Sequence, residues 1–522
     1  MTRSDNTGKR ALLAFGLSML VIVFFSYIQT KNQPPKTVPT QTPPPVTSDL
    51  SPISKISPPS KEEPSLPPAK EVIVETGLYR AVFDSRGGRL ISLGLKHYTR
   101  KNEPWLETLS PDSSYPFGIE GENEILFVPD KESLALSPSQ TSDAITFRAR
   151  KGKGTITKKF TFDNRKYGIA FELAREGLTE EKTTLTAFSS PQSLKKNRTD
   201  IEEILVSSSG KISRIRPGTI KNEAHQVPGT GYLGRKTQYI LTFLKPEKPL
   251  DATISEGAAG KVVSSFILKP GQAKENFYFY SGPADQPVLT KEGVGIGEIL
   301  PTGPIVALNR FIMGILTFFH RLLPNWGVAI ILLTILFKIV FFPLTRVSLR
   351  TMKTMQKLQP YMKDLSKKYK DNPQAMQKEI FGIYRQYRIN PLSGCLPMLV
   401  QVPIFIAIFT LLRTAIVLRG AKFCLWINDL SLPDKLFVLN VRGSELPVNI
   451  LPFLMGGTMF FQQKLSSAST TGMAAEQQKM MTVLMPVMLT VFLYNLPAGL
   501  MLYWTVTNLI SIAEQEINTR RL

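Results

Sequence analysis

Between Trp326 and Thr345 the chain reads WGVAIILLTILFKIVFFPLT, a run with a single charge. At a rise of ~1.5 Å per residue, about 20 residues of helix cross a hydrocarbon core of ~30 Å. The charge is Lys338, and Arg346 follows it. Helical rise leaves Lys338 about 12 Å inside that arginine, farther than a lysine snorkels with comfort. Holding a cation at such depth costs ~2.5–3.5 kcal/mol even on insertion scales. On this stretch alone two readings stand: a membrane-end lysine that snorkels, or a charged, hydrated pocket inside a helix bundle.

Composition says where such a bundle can lie. A mean hydropathy of −0.02 is too low for a wholly embedded chain. The apolar residues concentrate between 300 and 515, and a length of 522 residues predicts several domains. The net charge of +22 admits a nucleic-acid partner, but the cations cluster beside apolar segments, as cytoplasmic loops do. Cys395 and Cys424 flank one apolar segment at opposite ends, which disfavours a disulfide. His97, His225 and His320 are scattered, with no HExxH or CxxC, so no metal site is expected. With no Walker motif and no nucleophile-base pair, neither a cofactor nor an enzyme activity is expected.

Taken in order, residues 1–30 open with Arg3, Lys9 and Arg10 before an apolar run from Ala11 to Ile28. No small-residue cleavage site follows it, which points to an uncleaved anchor with a cytoplasmic amino end. Residues 31–70 are rich in proline, serine, threonine and lysine and read as an extended linker. From 71 to 290, runs such as Glu71-Val-Ile-Val-Glu and Asn276-Phe-Tyr-Phe-Tyr alternate and are broken by turn residues. That pattern predicts a large antiparallel β-sandwich. Over 301–324, Arg310, Gly314, Thr317 and Arg321 share one helical stripe, which suits an amphipathic helix lying in the membrane surface.

The region 325–522 holds the remaining apolar runs. After the opening span, residues 346–393 carry eleven cations against three acids, a net of +8. Among them are Arg350, Lys353, Lys357, Lys363, Lys367 and Lys368, and Asp371-Asn372-Pro373 splits the segment into a cytoplasmic helical hairpin. Further spans are expected at 394–418, 447–461, 480–494 and 497–513, separated by a mixed-charge loop at 419–446 and a polar loop at 462–479. With the anchor this makes six transmembrane helices around a five-helix core. The fold class expected is therefore an α-helical polytopic membrane protein with a large extracytoplasmic β-sandwich. Polar groups recur inside the spans: Thr334 and Lys338, Gln401, then Thr505 and Asn508 at i, i+3. Together they can line a groove open to the cytoplasm, although hydrogen bonds between helices explain any single one of them.

This order of segments, with Asn325-Trp-Gly, Phe342-Pro-Leu-Thr, Asn390-Pro-Leu-Ser-Gly-Cys-Leu-Pro, Gln401-Val-Pro-Ile-Phe, Trp426-Ile-Asn-Asp-Leu and Leu496-Pro-Ala-Gly-Leu, resembles the bacterial membrane protein insertases of the Oxa family. Over 71–290 the likeness rests on architecture and Arg86-Gly87-Gly88. The resemblance implies a nucleotide-free insertase and chaperone of the bacterial inner membrane, with its β-domain in the periplasm and both termini in the cytoplasm. Its implied partners are nascent membrane proteins, the lipid bilayer, the ribosome and a Sec-type translocon, with no small-molecule substrate. The resemblance further implies a groove that receives the polar end of the nascent chain, an exit for its apolar segment beside Tyr503 and Trp504, and recruitment of substrate or ribosome by the basic hairpin. The family keeps an arginine in the groove where this chain has Lys338, so the planar guanidinium fork is absent here. A solute transporter built on Lys338 is the rival reading, but the paired repeats and broken half-helices of such proteins are not seen in the sequence.

Overall fold

A computed structural model of the chain describes residues 69–520, apart from 101–102, 110–113, 179–182, 192–201, 221–223, 258–260, 270–272, 294–302, 370–371, 388–391, 442–443 and 467–472. The expected anchor at 1–30 and nearly all of the linker at 31–70 lie outside the described residues. Thr354–Asn390 belong to a unit separate from Pro68–Lys353 and Pro391–Leu522.

Period-two alternation builds the β-domain. In Gly154–Asp163 every second side chain, Ile156, Lys158, Phe160 and Phe162, is buried, as a strand with one face on a core requires. The larger sheet has twelve strands, with Lys274–Pro283 between Ile240–Pro246 and Gly168–Glu176 near its middle. The smaller has five, ordered Leu106–Glu107, Arg89–Leu95, Tyr79–Asp84, Glu71–Glu75 and Ser133–Ala135. Phe83 of the smaller sheet meets Phe147, Phe160 and Phe162 of the larger, with its ring 4.7 Å from that of Phe160. Each such fully buried phenylalanine contributes ~1.5–3 kcal/mol of transfer free energy. The expectation of a purely antiparallel sandwich needs one correction, because Glu71–Glu75 pairs in parallel with Ser133–Ala135. Alternation reveals which face is buried but not strand direction, and this pair is joined by a long excursion rather than a hairpin.

Lys158 occupies an inward-facing position of its strand. Its Nζ donates to Gly87 O and Phe117 O, both at 2.6 Å, and sits 5.0 Å from the centre of the Phe127 ring. Gly87 and Gly88 take φ of +76° and +53°, which favours glycine, so the Arg86-Gly87-Gly88 string is a turn that this buried ammonium pins down. Burial pushes Lys158 down to about 7, with Glu122 opposing the shift and Arg89 adding to it.

After the β-domain come the helices α1 (Gln286–Glu292), α2 (Pro304–Leu322), α3 (Trp326–Lys368), α4 (Pro373–Gln386), α5 (Leu392–Thr414), α6 (Leu451–Ser466), α7 (Met473–Phe492) and α8 (Ala498–Arg520). Among the described residues, α2 and Trp326–Met355 of α3 are long and apolar enough to cross a membrane, while Gln401–Thr414 and Thr482–Phe492 are shorter apolar stretches. The span that begins at Trp326 and the first half of the basic hairpin are one helix. Lysine, arginine, glutamine and methionine are good helix formers, so a change from apolar to basic does not end it. The second half begins at Asn372, whose side chain accepts from Ala375 N at 3.1 Å and caps α4.

Boundaries around α6 and α7 differ from the sequence reading, and α7 already begins at Met473, inside the stretch read as a polar loop. Ser444–Asn449, expected to contain the start of a span, is a strand paired with Lys435–Val441. Helix α6 then continues through Gln462, Gln463 and Lys464, which had read as loop because they are polar. Helix α6 packs on α7 and α8, α5 on α2 and α8, around Ile330, Leu333, Ile408, Leu412, Met455 and Met501. Gly456 permits the approach of α7, since a Cβ there would collide with Thr490 Oγ1.

The β-domain is tied to the loop that follows α5. Arg419 donates to Tyr98 O at 2.6 Å and pairs with Glu103 at 2.8 Å, while Arg100 pairs with Asp429 at 2.8 Å. Gln238 donates to Arg413 O at 2.6 Å. Gly420 has φ +70°, and a Cβ there would run into Thr99 O, so the loop meets the domain at backbone distance.

Candidate functional site

Helix α8 carries the polar face around which the site is organised. Tyr503, Thr507, Ser511 and Glu514 follow at i, i+4, i+8 and i+11, one stripe over about 16 Å of helix. Thr507 and Ser511 return their hydroxyl protons to the carbonyls of Tyr503 and Thr507, at 2.8 and 2.9 Å. Such back-bonding keeps each oxygen free to accept from outside the helix.

Lys338 of α3 meets this stripe. Its Nζ donates to Ser511 Oγ at 2.5 Å and pairs with Glu514 Oε2 at 3.3 Å. The side chains of Lys338 and Glu514 keep only 19% and 12% of their exposure. The cation is thus not alone among the helices, as the sequence alone implied; it has a carboxylate partner 176 residues farther along the chain. A largely buried ammonium with a hydroxyl and a carboxylate is a site whose charge is balanced at rest.

The other expected groove residues divide. Gln401 of α5 donates to Tyr503 OH at 2.7 Å and joins the upper end of the same stripe. Thr334 and Thr505 are buried and donate within their own helices, to Ile330 O and Met501 O at 2.7 and 2.8 Å. Asn508 lies on another face and donates to Met455 O and Thr458 Oγ1 of α6, both at 3.3 Å. Of the expected exit residues, Tyr503 is buried, and Trp504 sets its ring 4.9 Å from that of Phe405. The i, i+3 pair Thr505 and Asn508 thus lies off the stripe that Lys338 meets. Ser511 and Glu514 were missed, although a glutamate at the end of an apolar run was the available signal.

Among the basic residues after the span, Arg350, Lys357 and Lys368 are exposed and Lys353 is half-buried. Lys368 Nζ lies 5.5 Å from the centre of the Tyr369 ring. The side chains of Lys363 and Lys367 lie outside the described residues.

Two sequence families cover the chain. The one described as 60Kd inner membrane protein matches residues 318–522, and the YidC periplasmic domain matches residues 71–313. The membrane protein insertase YidC of Pelobacter propionicus is 34% identical over 97% of this chain and 98% of its own. The chain belongs to the YidC family. The YidC insertase of Geobacter metallireducens is 31% identical over 97% of both chains. A solved structure titled as an active YidC insertase with its first transmembrane domain resolved is 20% identical over 86% of this chain, with a TM-score of 0.37. YidC membership makes the sheet-rich unit a periplasmic domain and the helical unit an inner-membrane core.

Proposed function

We propose that this chain inserts nascent integral membrane proteins into the bacterial inner membrane and helps them fold, without nucleotide or covalent chemistry. Membership of an insertase family supports the activity, and the contact of Lys338 with Ser511 and Glu514 carries the mechanism. The polar end of a nascent chain enters a groove along the Tyr503–Glu514 stripe, open toward the cytoplasm. An acidic substrate group exchanges with Glu514 for the Lys338 ammonium, so charge balance is kept while the segment is drawn part-way into the bilayer. The apolar segment then passes into lipid along α5 and α8, beside Tyr503 and Trp504.

In this reading the anchor, α3, α5, α6, α7 and α8 are six spans, α2 lies in the membrane surface, and both termini are cytoplasmic. The helical hairpin of 346–393 recruits substrate or the ribosome, whose RNA is anionic, through Arg350, Lys353, Lys357, Lys363, Lys367 and Lys368. The chain works alone or together with a Sec-type translocon. The test places a photo-crosslinking residue at Thr507, beside the pair but outside it, and programs ribosomes with a stalled membrane protein whose leading end is acidic. Adducts to that leading end are expected. Adducts to lipid alone would overturn the groove.

A further inference from the structure

The loop between α5 and α6 contains an element with no place in the insertion mechanism. Lys435–Val441 and Ser444–Asn449 form a two-stranded antiparallel ribbon, with Phe437 opposite Val448 and Leu439 opposite Leu446. Successive side chains of a strand point to opposite faces. A ribbon with one face on protein and one in water therefore alternates apolar with polar. This one does not: Leu436, Phe437, Val438 and Leu439 run consecutively, and all four are exposed, at 41, 47, 38 and 48%. Leu446 on the second strand is 52% exposed. Both faces are apolar, and both are uncovered by the described residues of the chain.

Its base is fixed at the level where helices begin and end. Asp434 Oδ2 accepts from Ile450 N and Leu451 N, at 2.9 and 2.7 Å, and from Trp426 Nε1 at 3.1 Å, so it holds the first turn of α6. Asn449 Nδ2 donates to Tyr494 O at 2.9 Å, and Tyr494 OH donates to Pro447 O at 2.8 Å, which ties the second strand to the chain just beyond α7. Beside that base, Phe453 and Phe492 are 58 and 75% exposed. Apolar surface of the helices thus lies beside the base of the ribbon.

We infer that this ribbon is a lipid-binding element, lying in the headgroup region of the outer leaflet with acyl chains and glycerol against both faces. A protein partner docked on one face would leave the other in water, whereas lipid covers both at once. Beyond Pro447 O and Asn449 N, which meet Tyr494 OH, the edges of this two-stranded sheet have no third strand among the described residues, and hydrocarbon does not tolerate open backbone edges. The element therefore stops at the hydrated interface rather than entering the core. Lys435, exposed at the base, faces a zone of lipid phosphate. A lone hairpin is marginal in water, and lipid contact supplies what a third strand would elsewhere. The inference rests on α6 and α7 being membrane spans.

The experiment uses the full chain with Cys395→Ser and Cys424→Ser, carrying one new cysteine at a time. Val438→Cys and Leu439→Cys report the two faces, and Lys248→Cys, exposed on the β-domain, is the aqueous control. Each is labelled with an environment-sensitive fluorophore and reconstituted in vesicles of phosphatidylethanolamine and phosphatidylglycerol. Both ribbon sites are expected to be quenched by a nitroxide at a shallow acyl position, and at least threefold less than the control by aqueous iodide. Iodide quenching of both sites, or shielding of one face without nitroxide quenching, overturns the inference; the latter result would indicate a protein partner. Nascent-chain insertion is read in the same vesicles. Intact insertion with iodide-quenched probes sinks the ribbon assignment alone, and lost insertion with lipid-quenched probes sinks the functional reading alone.

Discussion

The pairing of Lys338 with Glu514 makes a double substitution more informative than either single one. At 3.3 Å and an effective dielectric near 20, the gross attraction is about 5 kcal/mol, against which both groups have given up most of their hydration. Lys338→Ala leaves Glu514 largely buried without this cation, and deletions of that kind cost ~3–5 kcal/mol. Lys338→Ala with Glu514→Gln removes both charges and returns most of the loss. If the pair were only a structural tie, insertion would return with stability. If the ammonium also draws in acidic substrate ends, the double variant regains its melting temperature but still inserts such substrates about fivefold more slowly, the equivalent of ~1 kcal/mol of charge contact. The assay reads thermal unfolding in nanodiscs beside insertion of one substrate with an acidic leading end and one with a neutral end. The neutral substrate should be little affected. Equal, wild-type insertion of both substrates by the double variant would refute the exchange mechanism.

Two further outcomes follow from the periplasmic side. The pKa of Lys158 lies near 7 in the folded chain against 10.5 for a solvated lysine, so between those values the unfolded state binds the extra proton and stability rises with pH. Thermal unfolding of the β-domain in the full chain should shift upward from pH 7 to 9, and Lys158→Met should flatten that slope; an unchanged slope would dismiss Lys158 as its source. Above about pH 10 the trend reverses, because burial raises the hydroxyl pKa values of Tyr79 and Tyr280. Arg419→Ala removes the contacts to Tyr98 O and Glu103 and should weaken docking of the β-domain by ~2–3 kcal/mol. Limited proteolysis should then cut faster in 416–434 while the β-domain stays resistant, and unchanged cutting would assign the docking to the other contacts.

What was legible in the sequence follows the range over which each interaction acts. Alternation in Thr155-Ile-Thr-Lys-Lys-Phe-Thr-Phe marks the buried face of its strand, including Lys158, because periodicity is local. The parallel pairing of Glu71–Glu75 is not local and left no mark. Polarity misplaced the end of α6 and the start of α7, because Gln462 and Gln477 serve a helix as readily as a loop. Lys338 stood out by its cost. Its partner did not, since Glu514 sits where a span passes into a charged tail and looks like an ordinary helix end.

In the proposed exchange, the geometry of α8 leaves the rest of the bundle undisturbed. Between helices in lipid the hydrophobic effect contributes little, so packing and polar ties fix orientation. Polar ties join helix α8 to three neighbours: Tyr503 to Gln401 of α5, Asn508 to Met455 and Thr458 of α6, and Ser511 with Glu514 to Lys338 of α3. The first two are neutral, and an incoming carboxylate gains little by competing for them. Only the third offers a charge. A substrate acid that displaces Glu514 therefore meets an α8 still held by α5 and α6, and the freed carboxylate needs only a rotamer change or a proton.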